Sequence, residues 1–239
     1  MEPCKSFFVR TGLFFLFLLA ASTAYGQRGT LDIDAGAVSD TFGSQPKVTA
    51  AEFGLNGQFA LIQANKDGRP SIVLGGELRL PSDTSTHATE FAVFGGPIFP
   101  IGNFSVGVNA EVRRIYLPPA QVDGTTLDRF NMGLLELPVI LKYKFGPGKR
   151  VFVEARGEPE FTPHFSASSS TKTSLEGVPH PNFDYGYTVR GTLGYIVGKW
   201  YVKGAYETRY FKFIDNQNNP LGLYNWRSNN ITGGVGLIF

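Results

Sequence analysis

Leu135-Glu136-Leu137-Pro138-Val139-Ile140-Leu141-Lys142-Tyr143-Lys144-Phe145, followed by Gly146-Pro147-Gly148-Lys149 and then by Val151-Phe152-Val153-Glu154-Ala155-Arg156, is the stretch from which the fold is read. Leu135, Leu137, Val139, Leu141, Tyr143 and Phe145 alternate with Glu136, Lys142 and Lys144. After the turn, Val151, Val153 and Ala155 alternate with Glu154, Arg156 and Glu158. A side-chain period of two is that of a β-strand, so one face of this hairpin is apolar and the other ionic.

The pattern repeats outward in both directions. Phe53, Leu55, Gly57, Phe59 and Leu61 alternate with Glu52, Asn56 and Gln58; Ile72, Leu74, Gly76, Leu78 and Leu80 with Glu77 and Arg79; Phe104, Val106, Val108, Ala110 and Val112 with Asn109, Glu111 and Arg113. Tyr185, Tyr187, Val189, Leu193, Tyr195 and Val197 oppose Thr188, Arg190 and Thr192, and Val202, Gly204 and Tyr206 oppose Lys203, Glu207 and Arg209. An opening strand around Leu31, Ile33, Ala35 and Ala37, with Asp32 and Asp34 between them, brings the count to about ten, an even number; its weak apolarity keeps eight as the fallback. Pro97 and Pro138 each delete a ladder donor, which predicts bulges or local slips at both.

A soluble sandwich alternates too, so the connections decide. Short turns at 101–103, 146–149 and 198–199, and a slightly longer one at 65–69, alternate with long polar segments near 39–48, 81–88, 118–130, 166–182 and 215–229. Short periplasmic turns and long external loops are the asymmetry of an outer-membrane barrel. Aromatics flank the short turns: Phe99 and Phe104 at one, Tyr143, Phe145 and Phe152 at the next, Tyr195, Trp200 and Tyr201 at the third, with Phe239 at the same rim. Rings with one wet edge favour the headgroup level, which makes Phe99, Phe104, Tyr143, Phe145, Tyr195 and Trp200 an expected interfacial girdle. The fold class is therefore all-β, a single antiparallel up-and-down transmembrane β-barrel.

Both ends agree. Lys5 and Arg10 precede an apolar run from Leu13 to Ala21 that is too short to span a bilayer, followed by Ser22, Ala24 and Gly26. Residues 1–26 are thus expected to be a signal peptide cleaved near 24–26, and 27–239 the barrel domain. The only cysteine, Cys4, lies in the leader, so the exported domain has no disulfide to rely on. At the other end, Thr232-Gly233-Gly234-Val235-Gly236-Leu237-Ile238-Phe239 resembles the assembly signal of bacterial outer-membrane proteins, with Thr232, Gly234, Leu237 and Phe239 in its marked places. The hairpin from Leu135 to Ala155, Pro138 included, resembles one common in the bacterial outer-membrane β-barrel domain family, the small porin-like or OmpA-like barrels. That resemblance implies an outer-membrane address, with membrane lipid, lipopolysaccharide and the barrel-assembly machinery as partners, and transfers no catalytic residue.

Function has to be read from the inside. The alternation turns Glu52, Glu77, Arg79, Glu90, Glu111, Arg113, Glu136, Lys142, Lys144, Glu154, Arg156, Glu158, Arg190, Lys203, Glu207 and Arg209 toward a shared axis. Both signs are mixed. Long side chains can fill a lumen of this width, and buried charges persist when paired, so an ion-paired plug is favoured over a narrow, weakly selective channel. A formal net charge of +2, partly from the leader, gives no reason to expect nucleic acid. No cofactor is called for, and the three histidines, His87, His164 and His180, lack metal-ligand spacing.

Two enzyme readings rank below these. His164 and Ser166 could form a base–nucleophile pair as in the lipid A deacylases they faintly resemble, but the register from Val151 and Val153 points both inward unless Pro159 or Pro163 shifts it, and Glu176 is not placed as their partner. Asp83 with His87, or His180 with Asp184, could mimic the rim of outer-membrane proteases. The polar tracts 168–174 and 215–220, the latter leading to Tyr224 and Trp226, are candidates for binding an extracellular ligand.

Overall fold

The computed structural model describes residues 28–42, 46–63, 69–118, 120–122, 125–127, 129–168, 185–212 and 225–239. Its strands are β1 (Gly29–Phe42), β2 (Val48–Ile62), β3 (Ser71–Pro81), β4 (Thr89–Ile101), β5 (Phe104–Val108), β6 (Ala110–Leu117), β7 (Ala120–Val122), β8 (Thr125–Leu127), β9 (Arg129–Glu136), β10 (Val139–Phe145), β11 (Val151–Ser168), β12 (Tyr185–Val197), β13 (Trp200–Lys212) and β14 (Asn225–Ile238). β7 and β8 form a small ribbon of their own. β5 with β6 make one stave and β9 with β10 another, which gives ten antiparallel staves in chain order.

The ring is closed. β1 pairs with β14 from Thr30↔Ile238 to Phe42↔Trp226, and Gly29 and Phe239 exchange both backbone hydrogen bonds, at 3.0 and 3.1 Å. Closure leaves no stave of the ring with an unpaired edge, as a bilayer requires of a sheet. Gly36 marks how tight the seam is: a Cβ there would lie 2.0 Å from the Ile231 carbonyl oxygen.

The prolines do not slip the ladder, contrary to the sequence-based expectation. Pro97 pairs with Ile72 in an unshifted β3–β4 register, and the registers either side of Pro138, Glu111↔Glu136 and Val139↔Val108, are continuous. Pro138 still accepts from the Asn109 N–H at 2.9 Å; the missing donor interrupts the stave between β9 and β10 without shifting its register. The irregularities fall elsewhere, between Ala60 and Ile62 and between Phe161 and His164.

The strands also run longer than the alternation suggested, shortening the first connection to residues 43–47. Connections of two residues begin with Gly102 and Gly198, whose φ of +63° and +64° is the left-handed conformation that tight hairpins need. These turns, the start of β1 and the end of β14 lie at one end of the barrel, the turn end; the longer connections lie at the other.

The outward wall is mostly apolar: Ile33, Val112, Leu135, Leu141, Val153, Val189, Leu193, Val202, Ile231 and Val235 all stand exposed on it, Val112 and Ile231 by 63% and 64%. No hydrophobic core lies on that side to receive them, and acidic and basic side chains fill the other. That inversion makes this a transmembrane β-barrel of the outer-membrane type.

Candidate functional site in the barrel interior

The interior has three layers. Nearest the loop end, Ile115, Met132, Leu134, Phe211 and Trp226 are inward and fully buried, forming an apolar cap. The Trp226 indole N–H donates to Asp40 at 3.2 Å, and the guanidinium of Arg209 lies 5.2 Å from its ring centroid, joining the cap to the layer beneath.

The middle layer is ionic. Arg113 on β6 is 1% exposed and donates to Glu136 (3.1 Å), Glu90 (2.8 Å), Glu77 (3.2 Å) and Glu111 (2.5 Å). Arg79 donates to Glu77 at 2.9 Å and to Glu207 at 2.7 Å; Arg209 donates to Glu90 at 2.5 Å and to Glu160 at 3.0 Å. Arg190 reaches Glu77 at 3.4 Å and Asp34 at 3.7 Å, and Arg156 bridges Glu111 and Glu158. Two of these bonds cross the whole lumen: Arg209 and Glu90 stand on the ninth and fourth staves, and Arg190 and Glu77 on the eighth and third. In a ring of ten, staves five apart face each other, so the bonds run through the axis. A planar guanidinium with several fixed donors is the group suited to holding carboxylates from more than one stave.

Little space is left among them. A void beside Asp34, Glu52, Arg79, Arg190 and Glu207 has about 10 Å³, about one water molecule. Carboxylate oxygens of Glu111, Glu136 and Glu158 lie within 4.8 Å of one another, a spacing that would suit a divalent cation. Arg113 bonds to Glu111 and Glu136, however, and Arg156 to Glu111 and Glu158, so two guanidiniums already occupy that role.

Below lies a vestibule of about 310 Å³ opening at the turn end, lined by Asp32, Gln58, Ile140, Lys142, Lys144, Phe152, Glu154, Tyr201 and Lys203 among others. Lys142 pairs with Glu154 at 3.0 Å with both side chains part-hydrated, 30% and 25% exposed, and its Nζ sits 4.2 Å from the Phe152 ring centroid. Lys203 bonds to Asp32 at 3.2 Å and to Asp34 at 3.1 Å, closing the vestibule's roof. Lys144 stands exposed at the mouth and has no ion pair among the described residues.

The structure thus places Glu52, Glu77, Arg79, Glu111, Arg113, Glu136, Arg156, Arg190, Lys203, Glu207 and Arg209 inward and together, Glu52 accepting from Asn230, with Lys142 and Glu154 lower and Lys144 lowest. Sequence reasoning missed Asp40 and Glu160 as inward members and left Asp32 and Asp34 out of the set. Glu160 follows Glu154, Arg156 and Glu158 by parity, a signal masked by Pro159; Asp40 fell in an expected loop. Among the aromatics near the turns, Phe99, Phe104, Tyr143, Phe145, Tyr195 and Trp200 stand on the outward face at the turn end, with Phe104 and Tyr143 stacked at 4.4 Å. Phe152 and Tyr201 do not join them: both are inward and buried, Tyr201 donating to Asp32, because each is one residue out of phase with its outward neighbours. At the seam, Thr232 pairs with Gly36, Gly234 with Asp34 and Leu237 with Leu31, and Phe239 meets Gly29.

Of the candidate catalytic groups, Asp83 and His87 lie among the described residues, and both are engaged in structural hydrogen bonds. Asp83 accepts from the Ser85 amide (2.9 Å), the Ser85 hydroxyl (2.6 Å) and the Thr86 hydroxyl (2.8 Å), and these bonds hold its carboxyl below the usual range. His87 is buried, one ring nitrogen 2.7 Å from Thr86 Oγ1 and the other 3.2 Å from the Val48 carbonyl. One nitrogen thus ties the 82–88 loop to β2 and the other is engaged within the loop, leaving neither free. The β9–β11 shift between Phe161 and His164 spans Pro163, but the side chains of His164 and Ser166 lie outside the described residues, as do Glu176, His180, Asp184 and the tracts 169–174 and 215–220.

No family model and no curated protein matches the sequence. Among solved structures, the chain is similar to Neisserial surface protein A (13% identity, TM-score 0.40, covering 88% of this chain and 97% of that one), to the outer membrane protease OmpT from Escherichia coli (13%, 0.47, 89% and 97%) and to the translocator domain of the autotransporter NalP from Neisseria meningitidis (12%, 0.42, 98% and 97%). At such identities and scores these likenesses carry no argument about activity.

Proposed function

We propose that this protein resides in the bacterial outer membrane as a sealed barrel, its turn end in the periplasm and its loops outside, where it serves a structural or surface-interaction role rather than a transport one. The observation that carries the reading is the cross-lumen bonding of Arg209 to Glu90 and Arg190 to Glu77 beneath the apolar cap of Trp226 and Phe211. Ions crossing this layer would have to displace paired charges and then pass a dry apolar plug. The outward aromatics at the turn end fit a headgroup-level girdle, and the closing strand ending on Phe239 fits recognition by the barrel-assembly machinery. Surface interaction falls to the long loops, and catalysis is disfavoured by the structural engagement of His87.

A narrow channel is the second reading, favoured by the 310 Å³ vestibule that already hollows the turn end. Planar-bilayer recording of the refolded chain separates the two. The sealed barrel is electrically silent, and Arg113→Ala together with Trp226→Ala opens it. Stable single-channel steps from the unaltered protein would decide for the channel.

A further inference from the structure

Outward positions of the described strands carry no aspartate or glutamate, and their described side chains include three cations: Lys212, Arg227 and Arg114. All three stand toward the loop end; the outward positions of the turn end are apolar or aromatic, as at Phe104 and Trp200. A cation on a lipid-facing wall is costly unless it sits at headgroup depth with a counter-charge. Lys212 and Arg227 share one patch. Arg227 pairs across the ladder with Tyr210 and Lys212 with Asn225, which makes the two cations diagonal neighbours, about 7–8 Å apart at their bases. That separation lets two long side chains converge on one phosphate group.

Tyrosines frame them. Arg227 lies 5.5 Å from the Tyr210 ring centroid, Tyr210 is 5.8 Å from Tyr187, and Tyr185 pairs with Lys212. The Tyr210 hydroxyl donates to Asn225 at 3.2 Å, fixing the ring on which the guanidinium rests. Neither Arg227 nor Lys212 has an ion pair among the described residues, so among them the patch offers two cations with positioned rings and no protein anion.

We propose that Lys212 and Arg227 bind a phosphate of a phosphorylated glycolipid of the outer leaflet, with Tyr185, Tyr187 and Tyr210 covering its sugar and upper acyl region. The chemistry is bidentate guanidinium–phosphate bonding backed by an ammonium, in a setting where the acyl chains already face the wall. The inference rests on the outer-membrane reading, because only that membrane places a phosphorylated glycolipid at the loop end.

The test uses the full chain refolded in neutral detergent, with bound lipid counted by native mass spectrometry. It is titrated with bisphosphorylated lipid A, with the same lipid stripped of phosphate, and with inorganic pyrophosphate. The phosphorylated lipid is retained roughly tenfold or more tightly than the stripped form, and Arg227→Ala with Lys212→Ala lowers its retention by a similar factor, as expected for lost charged hydrogen bonds. Arg227→Lys with Lys212→Arg keeps most of the binding. Equal retention of the two lipids, or an unchanged double alanine variant, overturns the proposal; pyrophosphate competing as well as the lipid overturns the lipid as occupant. Heat-modifiable migration verifies that each variant is folded. Fractionation of cells separates the two ideas, since a chain absent from the outer membrane defeats the address while the detergent titration still reports on the site.

Discussion

Arg113 with Glu136 in the middle layer and Lys142 with Glu154 in the vestibule are the same kind of pair, a cation and a glutamate on neighbouring staves. They differ in water. The first pair is dry, 1% and 0% exposed at the side chains, whereas the second is 30% and 25% exposed. A dry carboxylate that loses its cation has nothing to replace it, while a wet one is solvated at once. Depth along the axis, not the residue types, therefore decides what each ion pair contributes, and the contrast can be broken at four places.

Arg113→Ala should have the largest effect. It strips the shared cation from Glu77, Glu90, Glu111 and Glu136 and should cost about 3–5 kcal/mol or more, read from urea unfolding of the refolded barrel in detergent. A loss as small as that of a surface pair would mean the layer is hydrated. Next comes the cap. Leu134→Ala opens a hole in a fully buried layer and should cost about 2–5 kcal/mol, again in urea; insensitivity would place Leu134 in a mobile or wet rim.

In the vestibule, Lys142→Ala should shift stability by under about 1 kcal/mol, because Glu154 keeps access to water. A cost like that of Arg113→Ala would erase the distinction between the two regions. The smallest effect belongs to the loop end, where hydrogen bonds from Ser85 and Thr86 depress the Asp83 carboxyl. A depressed folded value stabilises the turn above the carboxyl's ordinary range, near 3.9, and that contribution disappears as pH falls through the lower folded value. Amide exchange at Ser85 should therefore stay protected through mildly acidic pH and quicken only below the ordinary aspartate range, and Asp83→Asn should abolish that dependence.

The barrel was legible because alternation needs only parity, and parity survived both Pro97 and Pro138. The inward set was legible for the same reason. What parity lacks is depth and azimuth. Arg209 and Glu90 are 119 residues apart and meet only because ten staves close into a ring. Met132 and Leu134 are inward by parity as clearly as Glu136, yet an apolar residue in a barrel wall reads as lipid-facing until its phase is compared with its neighbours. Phe152 and Tyr201 flank the same short turns as the girdle rings, yet their phase turns them inward. The Lys212–Arg227 patch was hidden because β14 begins at Asn225, inside the 215–229 segment that sequence assigned to a loop, and β13 runs on to Lys212, past the last alternation read at Arg209.

The central claim is that one face of every stave meets acyl chains and the other faces the lumen, away from lipid. Residues 28–239 contain no cysteine, so single cysteines at Val189 and Leu193, and at Thr188 and Thr192, can each carry a small fluorophore in the barrel reconstituted with brominated lipids. Quenching by the lipid bromines at Val189 and Leu193, and its absence at Thr188 and Thr192, is the predicted result. Equal quenching along the strand, or none at any of the four, would contradict the account.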